Sequence, residues 1–423
     1  MDIKHIVSQL QNCPCGQAHL LDDMIVEIGP GLLQKTAEIM KDFPKKLLVV
    51  ADNNTLAASS GIIEILENNG FHCKLKLFDD LRTADIRDAD ELEVLAQDVE
   101  GILSIGSGSL SDICRLAAFK AEKSFAIFAT APSMDGFASN SSPVTINSFK
   151  KSLFCRVPDI IIGDTDVLAK APLELKAAGF GDMIAKYIAL VDWKVAHLTV
   201  NEHYCPNVAG LTKTALDKVV VLADKVSTEN TDAAGALMEG LVLSGLAMAF
   251  VNKTRPASGA EHVVSHFWES KTLEQGKHSD FHGKKVGVAS LLITRLYHNI
   301  ALSKVCFQKD STDWEKVYSV YGPNFRDEVE KCNTPTVTDE TSPQILSESW
   351  ETICNIIKNE LPAYETLLSL MNKAGAVTTI DEIGVDPELA LAGLKYHPYM
   401  RYRMNMTRLI PMLGISGIEK SVL

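Results

Sequence analysis

Residues 101–120 read GILSIGSGSLSDICRLAAFK: an apolar run, Gly101–Ile105, enters Gly106-Ser107-Gly108-Ser109 and then a helical stretch, Leu110–Lys120. A strand, a glycine-rich turn and a helix N-terminus in succession make an anion site. The glycines let the backbone approach a phosphate, and the free N–H groups and the helix dipole point at it. Ser109 and Ser111 are N-cap candidates, with Asp112 in the first turn. The same GSGS is also a serviceable tight turn and cap in any α/β protein. No Lys follows its last glycine, so it is not a Walker A loop. It also lacks the G-x-G-x-x-G spacing and does not follow the first strand, so the common dinucleotide fingerprint does not apply.

Five further runs resemble Gly101–Ile105: Met24–Ile28, Leu47–Ala51, Cys73–Phe78, Phe125–Ala129 and Ile160–Gly163. Segments with helical spacing, Leu32–Met40 and Gly61–Asn68 among them, lie between them. Short continuous apolar strands alternating with helices predict a parallel sheet covered on both faces, an open Rossmann-like α/β architecture. Asp52, directly after one run, is either a ribose-binding acid at a strand end or the start of a turn and helix cap. From about Ala171 strand-like runs become scarce. Phe180–Leu198, Val208–Lys225, Asp232–Val251, Lys284–His298 and Ile345–Lys358 carry helical patterns. The expected division is an α/β dinucleotide-binding domain over residues 1–175 and an all-helical metal- and substrate-binding domain over 176–423. Lys309–Ser342, with Pro323 and Pro335, is expected to be its most irregular part.

A chain of 423 residues is long enough for two cores, and 46% hydrophobic with 22% charged residues is a globular composition. The formal charge of −13 is spread along the chain, which argues against nucleic acid as a partner. No stretch is read as a membrane span, and Met1–Asn12 lacks a signal-peptide apolar core, so a cytoplasmic location is expected. Nine scattered cysteines fit reduced thiols. Cys13-Pro14-Cys15-Gly16 with His19 offers only three ligands and no second Cys pair follows, so it is read as a surface segment with two thiols.

The helical half holds a second constellation. In Arg255-Pro256-Ala257-Ser258-Gly259-Ala260-Glu261-His262-Val263-Val264-Ser265-His266, two histidines at i and i+4 share a helix face. His282-Gly283 follows, and Gly179-Phe180-Gly181-Asp182 looks like a glycine-rich helix entry with an acid. Two histidines and one aspartate leave an open coordination position, as a catalytic metal site requires. Packed polar residues and an N-terminal helix acid would give the same pattern.

Taken with Thr130-Ala131-Pro132-Ser133-Met134-Asp135-Gly136, Ala177–Asp182, Arg255–His262 and His282-Gly283-x-x-Val286, the chain resembles sn-glycerol-1-phosphate dehydrogenases. These belong to the iron-containing alcohol dehydrogenase and glycerol dehydrogenase superfamily, and the match is to the bacterial AraM-type branch. The likeness runs from about Val26 to Val288; beyond it only helical character and a basic stretch, Arg401-Tyr402-Arg403, correspond. The resemblance implies Asp182, His262 and His282 as ligands of a divalent metal, and Asp182, His266 and Asp135 as substrate contacts. It also implies Gly106, Ser107, Gly108, Ser109, Leu110, Thr130, Ser133 and Ser139 as dinucleotide contacts, with Asp52 on the adenosine ribose. The implied reaction is reversible NAD(P)H-dependent reduction of dihydroxyacetone phosphate to sn-glycerol 1-phosphate in a homodimer. Zinc suits the donor set, and nickel and iron accept the same donors. The proton is expected from water relayed by His266 or Asp135, and Lys186, Arg255 and then Lys253 are the cations considered for the substrate phosphate. The rival readings are a glycerol dehydrogenase, a lyase similar to 3-dehydroquinate synthase and a non-catalytic NAD sensor. Departures are small: GSGS where the family is more glycine-rich, and Met134 inside TAPSxDG.

Overall fold

The computed structural model describes all 423 residues. Six parallel strands form the main sheet: β1 (Ile25–Gly29), β2 (Lys46–Asp52), β3 (His72–Phe78), β4 (Gly101–Gly106), β5 (Ser124–Ala129) and β8 (Ile160–Asp164). Each predicted apolar run falls on one of them. Their order across the sheet is β1-β8-β5-β4-β2-β3. The chain runs outward from β2 to β3 and then returns to β4 on the other side of β2. The strand order therefore reverses between β2 and β4, and the crevice beyond their carboxyl ends is where open α/β sheets bind ligands. Asp52 ends β2 and Gly106 ends β4.

The central strands are buried on both faces, as their unbroken apolar character requires. Along β2, Leu48 and Val50 enter one core cluster while Leu47, Val49 and Ala51 enter another. The first of these, 55 residues, also takes in Phe180, Met183, Met238 and Phe250 from later helices, so sheet and helical half share one core. A 39-residue cluster lies almost wholly among the helices beyond residue 187.

Two strands lie outside the sheet: β6 (Ser141–Ile146) and β7 (Phe149–Phe154) form an antiparallel hairpin that the strand pattern did not reveal. Its two-residue turn, Asn147 and Ser148, has φ of 49° and 64°, the positive values that suit the twist of a tight hairpin. Lys309–Ser342 is more regular than expected, holding helices Trp314–Tyr321 and Pro323–Cys332. Gly322 at φ 75° separates them, and Pro323 starts the second where its missing N–H costs nothing. The absence of a span-length apolar segment is also corrected. Helix Thr231–Val251 is long and apolar enough to cross a membrane, but 83% of its apolar window is buried inside the molecule.

Candidate active site

Three helices bring the predicted ligands together. Asp182 lies in the last turn of Leu173–Ile184, His262 in the first turn of Ala260–Glu274, and His282 opens His282–Leu302. Their donor atoms all lie within 4.8 Å of one another. The glycines before Asp182 do not open a helix, as the sequence suggested; they let two helices touch through their backbones. A Cβ on Gly181 would sit 2.7 Å from the Gly283 carbonyl oxygen, and one on Gly283 would sit 2.1 Å from that of Ala178. The contact fixes the spacing between Asp182 and His282.

Each donor is oriented by a neighbour. His262 Nδ1 donates to Glu261 Oε1 (2.7 Å), which also accepts from the Gly259 N–H (2.8 Å). That bond turns His262 Nε2 inward, where it is buried without a hydrogen-bond partner, 3.3 Å from Asp182 Oδ1. An orphaned imidazole nitrogen beside a carboxylate, backed by a second carboxylate, fits a divalent ion. Asp182 Oδ2 accepts from the Asp135 N–H (2.9 Å). Burial alone would raise Asp182, but Lys186, His262 and His282 hold its carboxylate far below the usual range. Burial opposes charge on His262, yet Asp182 and Glu261 lift it to about 9, whereas burial drops His282 to about 3. His266, one turn on, is not among the three. Its ring stacks on His282 at 5.6 Å, its Nδ1 has no partner, and burial lowers its basicity strongly.

Lys186 is fully buried and donates to Asp135 Oδ2 (2.5 Å), Asp182 Oδ1 (2.8 Å) and the Ala257 carbonyl (3.0 Å). Its three N–H donors are spent on the two acids and a carbonyl, so none is left for a phosphate. Arg255 is equally committed, to Glu202 and the Met404 carbonyl, and exposed Lys253 also pairs with Glu202. None of the three lines the cavity above the histidines.

That cavity, about 420 Å³, is bounded by His262, His266, His282, Asp135, Ser139 and hairpin residues. Two arginines of the basic stretch, Arg401 and Arg403, reach it. Arg401 donates to the Lys150 and Met400 carbonyls, and Arg403 to Ser258 and to the Thr254 hydroxyl; neither has a carboxylate partner. Burial, then Arg255, pulls Arg403 down to about 9, so it stays cationic at neutral pH. The signal lay in Arg401-x-Arg403: extended residues two apart share a face, and Tyr402 between them is exposed.

A second crevice adjoins the first through Asp135, Gly136, Pro143 and His282 and is lined by Ser107, Gly108, Ser109 and Ser133. Ser107, not Ser109 or Ser111, occupies the N-cap of helix Gly108–Lys120, and no side chain caps the first turn. The uncapped N–H groups and dipole thus face the crevice, which suits a pyrophosphate. Ser109 Oγ instead donates to the Arg82 carbonyl (3.0 Å). Gly106, Leu110 and Thr130 stand behind the loop: a Cβ on Gly106 would strike Leu110 at 2.5 Å, and the Thr130 N–H donates to the Gly106 carbonyl (3.2 Å). Ser139 lies on the histidine cavity rather than this crevice. Asp52 forms a reciprocal capping box with Thr55, so one carboxylate oxygen already serves the helix at residues 53–58.

Comparison with known proteins identifies the family. Residues 27–172 match a family described as iron-containing alcohol dehydrogenase. A glycerol-1-phosphate dehydrogenase [NAD(P)+] of Geobacillus thermodenitrificans is 34% identical over 402 residues, covering 93% of each chain. The chain belongs to the glycerol-1-phosphate dehydrogenase family. A second family member, from Geobacillus stearothermophilus, is 31% identical, again over 93% of each chain. In fold the chain is similar to glycerol dehydrogenase from Schizosaccharomyces pombe, at a TM-score of 0.61 and 17% identity, with 96% of this chain and 91% of that one aligned. The two-part architecture is thus the one expected.

Proposed function

We propose that this chain reversibly reduces dihydroxyacetone phosphate to sn-glycerol 1-phosphate with NAD(P)H, using a divalent ion held by Asp182, His262 and His282. One observation carries the reading. His262 and His282 of the Asp/His/His group line a cavity with two half-buried guanidiniums that lack carboxylate partners, and that cavity opens onto the glycine-loop crevice. The names of the curated relatives support the same substrate. An unphosphorylated polyol would leave two half-buried guanidiniums in the cavity wall with no anion to meet, which disfavours the glycerol dehydrogenase reading.

When bound, the ion supplies Lewis acidity toward the C2 oxygen. Arg401 and Arg403 hold the phosphate, with planar forks suited to its oxygens. Asp135, raised by burial and by Asp182, is held by Lys186 and the Ser244 hydroxyl (3.2 Å); it and His266 are the groups placed to hold or pass a proton. Ser107, Gly108, Ser109 and Ser133 cradle the dinucleotide phosphates. Asp52 at the carboxyl end of β2 would meet the adenosine ribose, and the cofactor is NAD(H) or NADP(H). Zinc is the expected ion, with nickel and iron as competitors. A cytoplasmic homodimer completes the proposal, checked by light scattering.

The test is NADH oxidation with dihydroxyacetone phosphate against dihydroxyacetone, before and after chelation and metal re-addition. A strong preference for the phosphate, lost on chelation and restored by metal, is expected. Equal rates with both substrates, or activity untouched by chelation, would reject it.

A further inference from the structure

Cys13, Cys15 and His19 do not form the surface segment with two thiols that the sequence suggested. A fourth residue, Cys205, almost two hundred positions away, closes on them, and the four donor atoms lie within 4.8 Å of one another. His19 Nε2 lies 3.1 Å from Cys15 Sγ and 3.3 Å from Cys205 Sγ, and Cys13 Sγ lies 3.5 Å from Cys205 Sγ. Tetrahedral zinc with ordinary bond lengths sets sulfur atoms ~3.8 Å apart and sulfur from nitrogen ~3.6 Å. A disulfide would need sulfurs at ~2.05 Å.

The surroundings treat the four as ligands. His19 is buried, and its Nδ1 donates to the Phe250 carbonyl (2.9 Å), which leaves Nε2 with a lone pair facing the sulfurs. Each sulfur accepts one N–H: Cys13 from Asn207 Nδ2 (3.3 Å), Cys15 from the Gln17 backbone (3.5 Å) and Cys205 from the Val208 backbone (3.4 Å). Such donors stabilise thiolates. None of the four residues lines the histidine cavity or the glycine-loop crevice.

We infer that Cys13, Cys15, His19 and Cys205 form a second metal site, a closed Cys3His site for structural zinc. Four protein donors leave no open position, so the ion would fasten rather than catalyse. It ties the segment before β1 to Cys205, the N-cap of helix Pro206–Val220, and, through His19, to the C-terminal end of Thr231–Val251. Three chain segments that meet over this part of the core are thereby locked together.

Cobalt distinguishes this site from the other, because Asp182, His262 and His282 contain no sulfur. Full-length protein produced under reducing conditions with cobalt as the only added transition metal is expected to show a thiolate-to-cobalt charge-transfer band. It should also hold two ions per chain. Cys205→Ser should remove most of the band and one of the two ions, and lower the thermal midpoint. His262→Ala should remove the other ion and leave the band. Absence of the band from the wild-type cobalt protein, or a Cys13–Cys205 disulfide in freshly isolated protein with no metal, would overturn the inference. If Cys205→Ser is insoluble, X-ray absorption of zinc-loaded His262→Ala decides: three sulfurs and one nitrogen support the site, and a shell without sulfur refutes it. Loss of the histidine-site ion alone would count against the catalytic reading and leave this one standing.

Discussion

Gly181→Ala tests whether backbone contact between two helices sets the geometry of the metal group. The new methyl would lie 2.7 Å from the Gly283 carbonyl oxygen and 3.2 Å from Gly287 Cα. Ordinary contact begins near 3.4 Å, so the helices must part by about 0.7 Å. Their neighbours are Asp182 on one side and His282 on the other, so most of that displacement reaches the ligand set. Metal–ligand distances tolerate only about 0.2 Å. Overpacking of this kind costs about 1–3 kcal/mol. If the strain is relieved by spreading the ligands, that range corresponds to about 5- to 150-fold weaker metal binding. The assay is competition against a chromophoric chelator, with thermal unfolding of metal-free protein measured in parallel. The expected result is weaker metal binding, with activity partly recovered at saturating metal. Unchanged affinity together with an unchanged thermal midpoint would refute the claim that this contact spaces the ligands.

Glu261→Gln should weaken metal binding about 10- to 100-fold, since losing the carboxylate that accepts from a ligating histidine has effects of that size; equilibrium dialysis measures it. Arg403→Ala should raise KM for dihydroxyacetone phosphate about 10- to 100-fold, as expected for a lost charge-assisted hydrogen bond, with little effect on dihydroxyacetone; an equal rise for both substrates would remove Arg403 from the phosphate site. Burial opposes charge on Glu202, but Arg255 holds its carboxyl below the usual 4.5, so its stabilising contribution is present above pH 4.5 and lost as pH falls through the folded-state value. The difference in thermal midpoint between wild type and Glu202→Gln should therefore shrink on acidification below that pH. Gly210→Ala, on an exposed helix position where an added Cβ meets nothing within 4 Å, should stabilise by about 0.5–1 kcal/mol in denaturant titrations.

What was legible in the sequence is what local pattern encodes. All six sheet strands are short, and the four central ones are buried on both faces, so each announces itself as an apolar run between turn residues. Hairpin β6–β7 does not. Its strands carry Ser, Thr and Lys, and its turn, Asn147-Ser148, is unremarkable until the positive φ values are known. The grouping of Asp182, His262 and His282 is legible because its motifs are compact, whereas the orienting role of Glu261, adjacent to His262, shows only in the fold. The errors concern charges and partners across long separations. Lys186 and Arg255 looked available beside the motifs, but a buried cation must be paired, and Asp135, Asp182 and Glu202 already pair them. Arg401 and Arg403 remain for the phosphate because only carbonyls and hydroxyls hold them, and no spacing rule links residue 401 to residue 262. Cys205 is the same case: three ligands near the N-terminus looked incomplete because the fourth arrives through the tertiary fold. Local pattern thus locates elements and compact motifs. Which charges are spent on structure and which are left for a ligand is decided by the fold.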